Sequence, residues 1–153
     1  MGCILRSRHD GRMRSDRRRP RPARPAVLIV EDDRAVAEAA AEVIGSAGYR
    51  TIVAHDGWQA LDVLRRERPS VLLVDLHLPG MSGSEFLRFV RSDPTWSQIP
   101  RVIMTGTNDP MIGIREDAPV FYKPIDVDSL IAVLKRYCDR ARPQLSAFAE
   151  QRD

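Results

Sequence analysis

Cysteine is nearly absent: the 153-residue chain has two, Cys3 and Cys138, which supply neither a disulfide framework nor a C-x-x-C metal or redox motif. A reduced, cytoplasmic setting is the natural expectation. Histidine is as scarce. His9, His55 and His77 stand at no metal-ligand spacing and read as solvent or packing residues. Long hydrophobic runs are missing too: the longest, such as Ala26–Val30, stop far short of the roughly 20 residues a membrane span requires. No apolar stretch follows the N-terminal charges as a secretory leader would need. Met1-Gly2-Cys3 looks like an acylation start, but Arg6 stands where the myristoylation pattern needs Ser or Thr. Trp58 and Trp96 lack interleaved basic residues and are expected as partial core or surface-packing rings. Lysine occurs twice against 22 arginines, a compositional bias rather than a recognition signal.

What the chain does have is charge, unevenly placed. The net charge is +3, yet residues 1–25 alone hold nine Arg and two Asp, or +7, so the remainder carries −4. The basic character therefore belongs to an Arg- and Pro-rich segment with almost no apolar periodicity, expected to be a disordered tail. The rest is acidic, and the 43% hydrophobic content of the chain is enough for one core.

From Ala26 onward, short apolar runs alternate with helical periodicity. Ala26–Val30, Arg50–Ala54, Val71–Asp75, Arg101–Thr105 and Val120–Lys123 read as strands. Between them, Val36, Ala40, Val43 and Ala47 recur at helical spacing, as do Ala60, Leu61 and Leu64, and then Phe86, Leu87 and Val90. Asp126 or Asp128 caps a final helix packing through Leu130, Leu134, Tyr137 and Cys138, and the residues from Ala141 have no assignment. Strands alternating with helices imply a parallel sheet covered on both faces, an α/β doubly wound fold.

In such sheets ligands bind beyond the carboxyl ends of the strands. Strand one ends in Glu31-Asp32-Asp33, strand three in Asp75, strand four in Thr105 and strand five in Lys123-Pro124. Three to four carboxylates, a hydroxyl and an ammonium thus share one edge. Clustered carboxylates repel, so the grouping calls for a cation, and oxygen ligands suit a hard one such as Mg²⁺. With a lysine for a phosphate and a hydroxyl as donor, the set matches phosphoryl transfer, for which an Asp is the only acceptor present.

These pieces resemble the receiver domain of two-component response regulators: Val27–Asp33, Val71–Gly83 with its Asp-Leu-His-Leu-Pro-Gly-Met-Ser-Gly run, Val102–Gly106, and Lys123-Pro124. The resemblance implies a flavodoxin-like five-stranded sheet of order 2-1-3-4-5 over residues 26–137, with 138–153 as the end of the last helix and a C-terminal tail. It also implies Asp75 as phosphoacceptor, with Mg²⁺ held by Asp32, Asp75 and the His77 backbone carbonyl and, through water, by Glu31. Thr105 would then hydrogen-bond the phosphoryl group, Lys123 would pair with it, and the Lys123-Pro124 peptide would be cis. Two departures stand out. The run from Thr105 to Lys123 is shorter than the family's usual one, so the fourth helix is expected to be short, and Val120 occupies the place of the usual aromatic switch residue.

The resulting expectation is a stand-alone receiver, not an enzyme in the ordinary sense. It would take its phosphoryl group from a histidine kinase or histidine phosphotransfer protein and signal to a downstream protein, with no membrane and no nucleic acid involved. The rivals are a pseudo-receiver scaffold that works without phosphorylation, and a nucleic-acid-associated protein using the Arg-rich tail.

Overall fold

The computed structural model describes residues 24–108 and 112–150, so the expected tail lies outside the described residues except for Arg24 and Pro25. The elements run β1 (Ala26–Val30), α1 (Arg34–Ser46), β2 (Arg50–Ala54), α2 (Gly57–Arg66), β3 (Val71–Asp75), α3 (Gly83–Ser92), β4 (Arg101–Thr105), α4 (Ile112–Glu116), β5 (Val120–Tyr122) and α5 (Val127–Glu150). All strand pairs are parallel and the order is β2-β1-β3-β4-β5, as expected.

The period-2 alternation of the central strands builds two separate cores. Leu28 and Val30 of β1, Leu72 and Val74 of β3, and Ile103 of β4 join Leu61, Leu64, Phe86, Leu87 and Val90, the apolar stripes of α2 and α3. On the opposite face Val27, Ile29, Val71, Leu73, Val102 and Met104 join Ile44 of α1 with Leu130, Leu134 and Cys138 of α5. Strands buried on both faces have no polar side to show, which is why β1 and β3 read as unbroken apolar runs.

Three expectations need correction. Helix α1 buries Ala37 and Ile44, with Ala40 and Ala41 against the core, whereas Ala47 caps the helix in solvent. The stripe is rotated by about one residue because an all-alanine middle gives periodicity little contrast. Strand β5 stops at Tyr122, one residue before Lys123, although the Lys123 amide still donates to the Thr105 carbonyl at 2.8 Å. Helix α5 continues to Glu150, so most of the segment expected as a tail is helical. Tyr137, partly buried, packs against the core that holds Leu130, Leu134 and Cys138, as expected. The fourth helix is short, five residues, anchored by buried Ile112 and by the Glu116 carboxylate accepting from Arg91 of α3 at 2.8 Å. Trp96 packs against the core, while Trp58 is 61% exposed. Among the described residues no helix is long and apolar enough to cross a membrane.

Candidate functional site

Strand β1 ends at Val30, which delivers Glu31, Asp32 and Asp33 to the carboxyl edge of the sheet one after another. Their fates differ. Glu31 continues the pairing with β2 by donating its amide to the Ala54 carbonyl at 3.0 Å, and its own carbonyl accepts from His55 Nδ1 at 3.0 Å. The residue is 1% exposed. Asp33 turns away: its Oδ1 accepts from the amides of Ala35 and Val36 at 2.9 and 3.2 Å and caps α1. Of the three adjacent acids, Asp33 is therefore spent on the helix, and Asp32 stays exposed at the edge.

Asp75 closes β3 and is 4% exposed, with Oδ1 accepting from the His77 amide at 2.9 Å. Gly83 seats the loop behind it. The Gly83 amide donates to the Leu76 carbonyl at 3.0 Å, and a Cβ at this position would fall 2.2 Å from the Asp75 carbonyl oxygen. One carboxylate oxygen from each of Glu31, Asp32 and Asp75 lies within 4.8 Å of those of the other two.

Lys123 reaches this group from the far side of β4. Its Nζ donates to Glu31 Oε2 at 2.7 Å and to Asp75 Oδ2 at 2.8 Å, bridging residues 92 and 48 positions away in sequence. The Lys123-Pro124 peptide is cis. Thr105, fully buried at the end of β4, accepts at Oγ1 from the Thr107 amide at 3.2 Å. Thr107 Oγ1 in turn meets His77 Nε2 at 2.9 Å. Sequence reasoning passed over Thr107 and treated His77 as a bland side chain; the signal present was a Thr-x-Thr spacing after β4, opposite a His two residues past Asp75.

The electrostatics follow from burial. Desolvation pushes the Glu31 carboxyl above its ordinary value; the Lys123 hydrogen bond opposes this and the charge of Asp75 adds to it. Burial alone would lower the Lys123 ammonium, but its hydrogen bonds to Asp75 and Glu31 outweigh that and hold it above its ordinary value. Two buried carboxylates and one exposed one around a single ammonium still leave an excess of negative charge. An all-oxygen donor set of this kind fits a hard divalent cation, with Asp32 on the water side.

The receiver domain of response regulators is the family whose profile matches, over residues 27–135. Among curated proteins the chain is 31% identical over 125 residues to the response regulator MprA of Mycobacterium bovis, covering 79% of this chain and 54% of that protein. It is 37% identical over 113 residues to the DNA-binding response regulator MtrA of Mycobacterium tuberculosis, covering 71% of this chain and 48% of that one. The chain thus spans about half the length of the curated relatives it matches. The solved structure of the chemotaxis protein CheY4 of Vibrio cholerae superposes with a TM-score of 0.69 at 28% identity, covering 75% of this chain and 99% of that one. A family match over most of the chain, on a sheet of this order with an acidic cluster and a lysine at its carboxyl edge, leads to one assignment: the chain belongs to the response regulator receiver domain family.

Proposed function

We propose that residues 26–137 act as a phosphoryl-accepting receiver, with Asp75 as the acceptor, and that a histidine kinase or histidine phosphotransfer protein in the cytoplasm is the donor. The observation that carries this reading is the position of Asp75, buried at a strand end and hydrogen-bonded to Lys123 at 2.8 Å. In the transfer an Asp75 carboxylate oxygen bonds to phosphorus as the phosphorus–nitrogen bond of the donor's phosphohistidine breaks, and the freed imidazole takes up a proton. Lys123 is placed to pair with the incoming phosphoryl oxygens, releasing its hold on Asp75, and the Thr105 hydroxyl to donate to them. Asp32, Asp75 and the His77 backbone carbonyl, with Glu31 through water, would hold Mg²⁺, which supplies charge neutralisation when bound. Output passes to a partner protein through a changed surface. MtrA is named as DNA-binding, but nucleic acid has no part in the reading proposed for the residues described.

The test is incubation of the full chain with acetyl phosphate and Mg²⁺ followed by intact-mass and peptide mapping. One added phosphoryl group on Asp75, absent from Asp75→Asn, is the expected result. Wild-type labelling in the Asn variant overturns the assignment, and no labelling of the wild type favours a phosphorylation-independent scaffold.

A further inference from the structure

Helices α2 and α3 pack side by side over one core, and each carries a large ring that the core does not take. Trp58 of α2 is 61% exposed and Phe89 of α3 is 49% exposed, the two most exposed large apolar side chains among the described residues. Both line one open groove of about 600 Å³, together with Gly80 and the buried Met81 from the loop between β3 and α3. Two rings left in water forgo the burial that aromatic side chains ordinarily gain, and their sharing of one recess points to an occupant.

The apolar stretch is short. Trp58, Asp62 and Arg65 follow one another along the same side of α2, and Asp62 and Arg65 form an ion pair at 2.6 Å, so the wall turns charged one helical turn after the indole. On α3 the next residue along the groove is Ser92, whose hydroxyl donates to the Phe89 carbonyl at 2.9 Å. A docked helix needs several apolar anchors along its length, and a second copy of the chain needs roughly 800 Å² of contact on each side. One pair of rings offers neither, whereas the volume and the aromatic walls suit a small molecule.

The charges at the groove set the sign of that molecule. The Glu85 carboxylate accepts from the Ser82 amide at 2.8 Å in the capping box and is held at the start of α3. The Arg88 guanidinium, also lining the groove, is exposed and has no acidic partner among the described residues. A planar fork of donors beside two rings recognises an anionic group on an aromatic body. We propose that the groove between α2 and α3 binds a small aromatic anion, a planar ring system carrying one carboxylate or like group. Trp58 and Phe89 hold the rings, Met81 lies beneath them, and Arg88 takes the charge. The groove is open, so the ligand keeps one face in water and binds weakly, with a dissociation constant on the order of 1 mM for a two-ring acid. This site is independent of the reading of Asp75 as acceptor.

The probes are naphthoate and naphthamide, which share their rings and differ in charge. Each is titrated into the full chain while the indole N–H resonances of its two tryptophans are followed by NMR. Trp96, packed against the core, serves as the internal control. Naphthoate should shift the Trp58 resonance and leave that of Trp96 in place, and naphthamide should bind about fivefold more weakly, the size of one exposed ion pair. Arg88→Gln should weaken naphthoate by about the same factor and leave naphthamide unchanged. Phe89→Ala should weaken both. These side chains are exposed, so the melting temperatures of the variants should match the wild type and show that each is folded. No shift of Trp58 at millimolar naphthoate, or equal shifts of Trp58 and Trp96, overturns the site. Equal affinity for the two probes, or naphthoate binding unchanged in Arg88→Gln, overturns the role given to Arg88 and with it the anionic ligand. Concentration-dependent broadening of Trp58 without any probe, lost in Phe89→Ala, would place a second copy of the chain in the groove and overturn the small-molecule assignment.

Discussion

Glu31 and Lys123 meet where burial and charge oppose each other. Glu31 is raised above 4.5 in the fold, so its contribution favours the folded state most at low pH and is lost as pH rises through the raised value; at neutral pH its buried charge is a cost that Lys123 offsets. Lys123 is raised above 10.5, so its contribution is fully present below 10.5 and lost only as pH climbs through the folded value. Lys123→Met strands both carboxylates, and the expected loss is about 3 kcal/mol at pH 7. That loss should shrink as pH falls toward 4.5 and Glu31 takes up a proton. Urea denaturation at several pH values checks this, and a loss independent of pH contradicts it. Asp32 behaves differently because it is exposed and pairs with no cation among the described residues. Asp32→Asn should weaken Mg²⁺ binding by tenfold or more in a calorimetric titration, yet hold or raise the melting temperature in metal-free buffer, since it relieves like-charge repulsion. A sharp fall in that temperature would contradict the repulsion argument.

Elements matter here through how they seat the strand ends. Helix α3 begins with Ser82 and Glu85 in a reciprocal capping box, which fixes the exit of the loop that follows Asp75. Gly83 packs directly on that loop, where a Cβ would meet the Asp75 carbonyl oxygen at 2.2 Å and Leu76 Cα at 2.6 Å, both backbone atoms that have no rotamer to retreat into. At Gly57 the nearest atom to an added Cβ is Met81 Sδ at 2.7 Å, the far part of a flexible side chain. Gly83→Ala should therefore cost about 3 kcal/mol and slow phosphorylation of Asp75, while Gly57→Ala should cost well under half of that. Thermal melts and acetyl-phosphate labelling of the two variants check the contrast, and equal effects would remove the argument from the loop contact. The helical stripes of α2 and α3 were legible because leucine, phenylalanine and valine stand against charged neighbours. That of α1 was displaced by a residue because alanines on all sides look alike.

At the scale of the whole molecule, every member of both cores among the described residues lies between residues 26 and 138. Among the described residues the first backbone hydrogen bond from the N-terminal side is made by the Pro25 carbonyl, which accepts from the Arg50 amide at 3.1 Å and aligns the start of β1 with β2. A chain beginning at Arg24 should keep the melting temperature of the full chain within about 2 °C, a shift corresponding to a few tenths of a kcal/mol. It should also label at Asp75 to the same extent. A larger loss would show that residues before 24 contribute to the fold, and salt-sensitive DNA binding lost on the same truncation would promote the nucleic-acid rival.

Local pattern in the sequence was enough to determine the strand and helix alternation, the two-sided burial of β1 and β3, and the appearance of Asp32, Asp75, Thr105 and Lys123 at strand ends. Those features follow from residue spacing and from the arithmetic of where apolar runs stop, and they need no knowledge of distant neighbours. Tertiary structure decided what each end group does. The order β1-β3-β4-β5 carries Lys123 across β4 to carboxylates 48 and 92 residues away, and nothing local to Lys123 encodes that reach. Asp33 became a cap because α1 starts beside it, and Glu31 became the buried acid because β2 and His55 close over its backbone. His77 and Thr107 met because two loops from adjacent parallel strands emerge at the same height, a coincidence of register between segments 30 residues apart. Spacing along one chain segment specifies a face or an end, whereas a contact between two segments is set only once the sheet has chosen its neighbours.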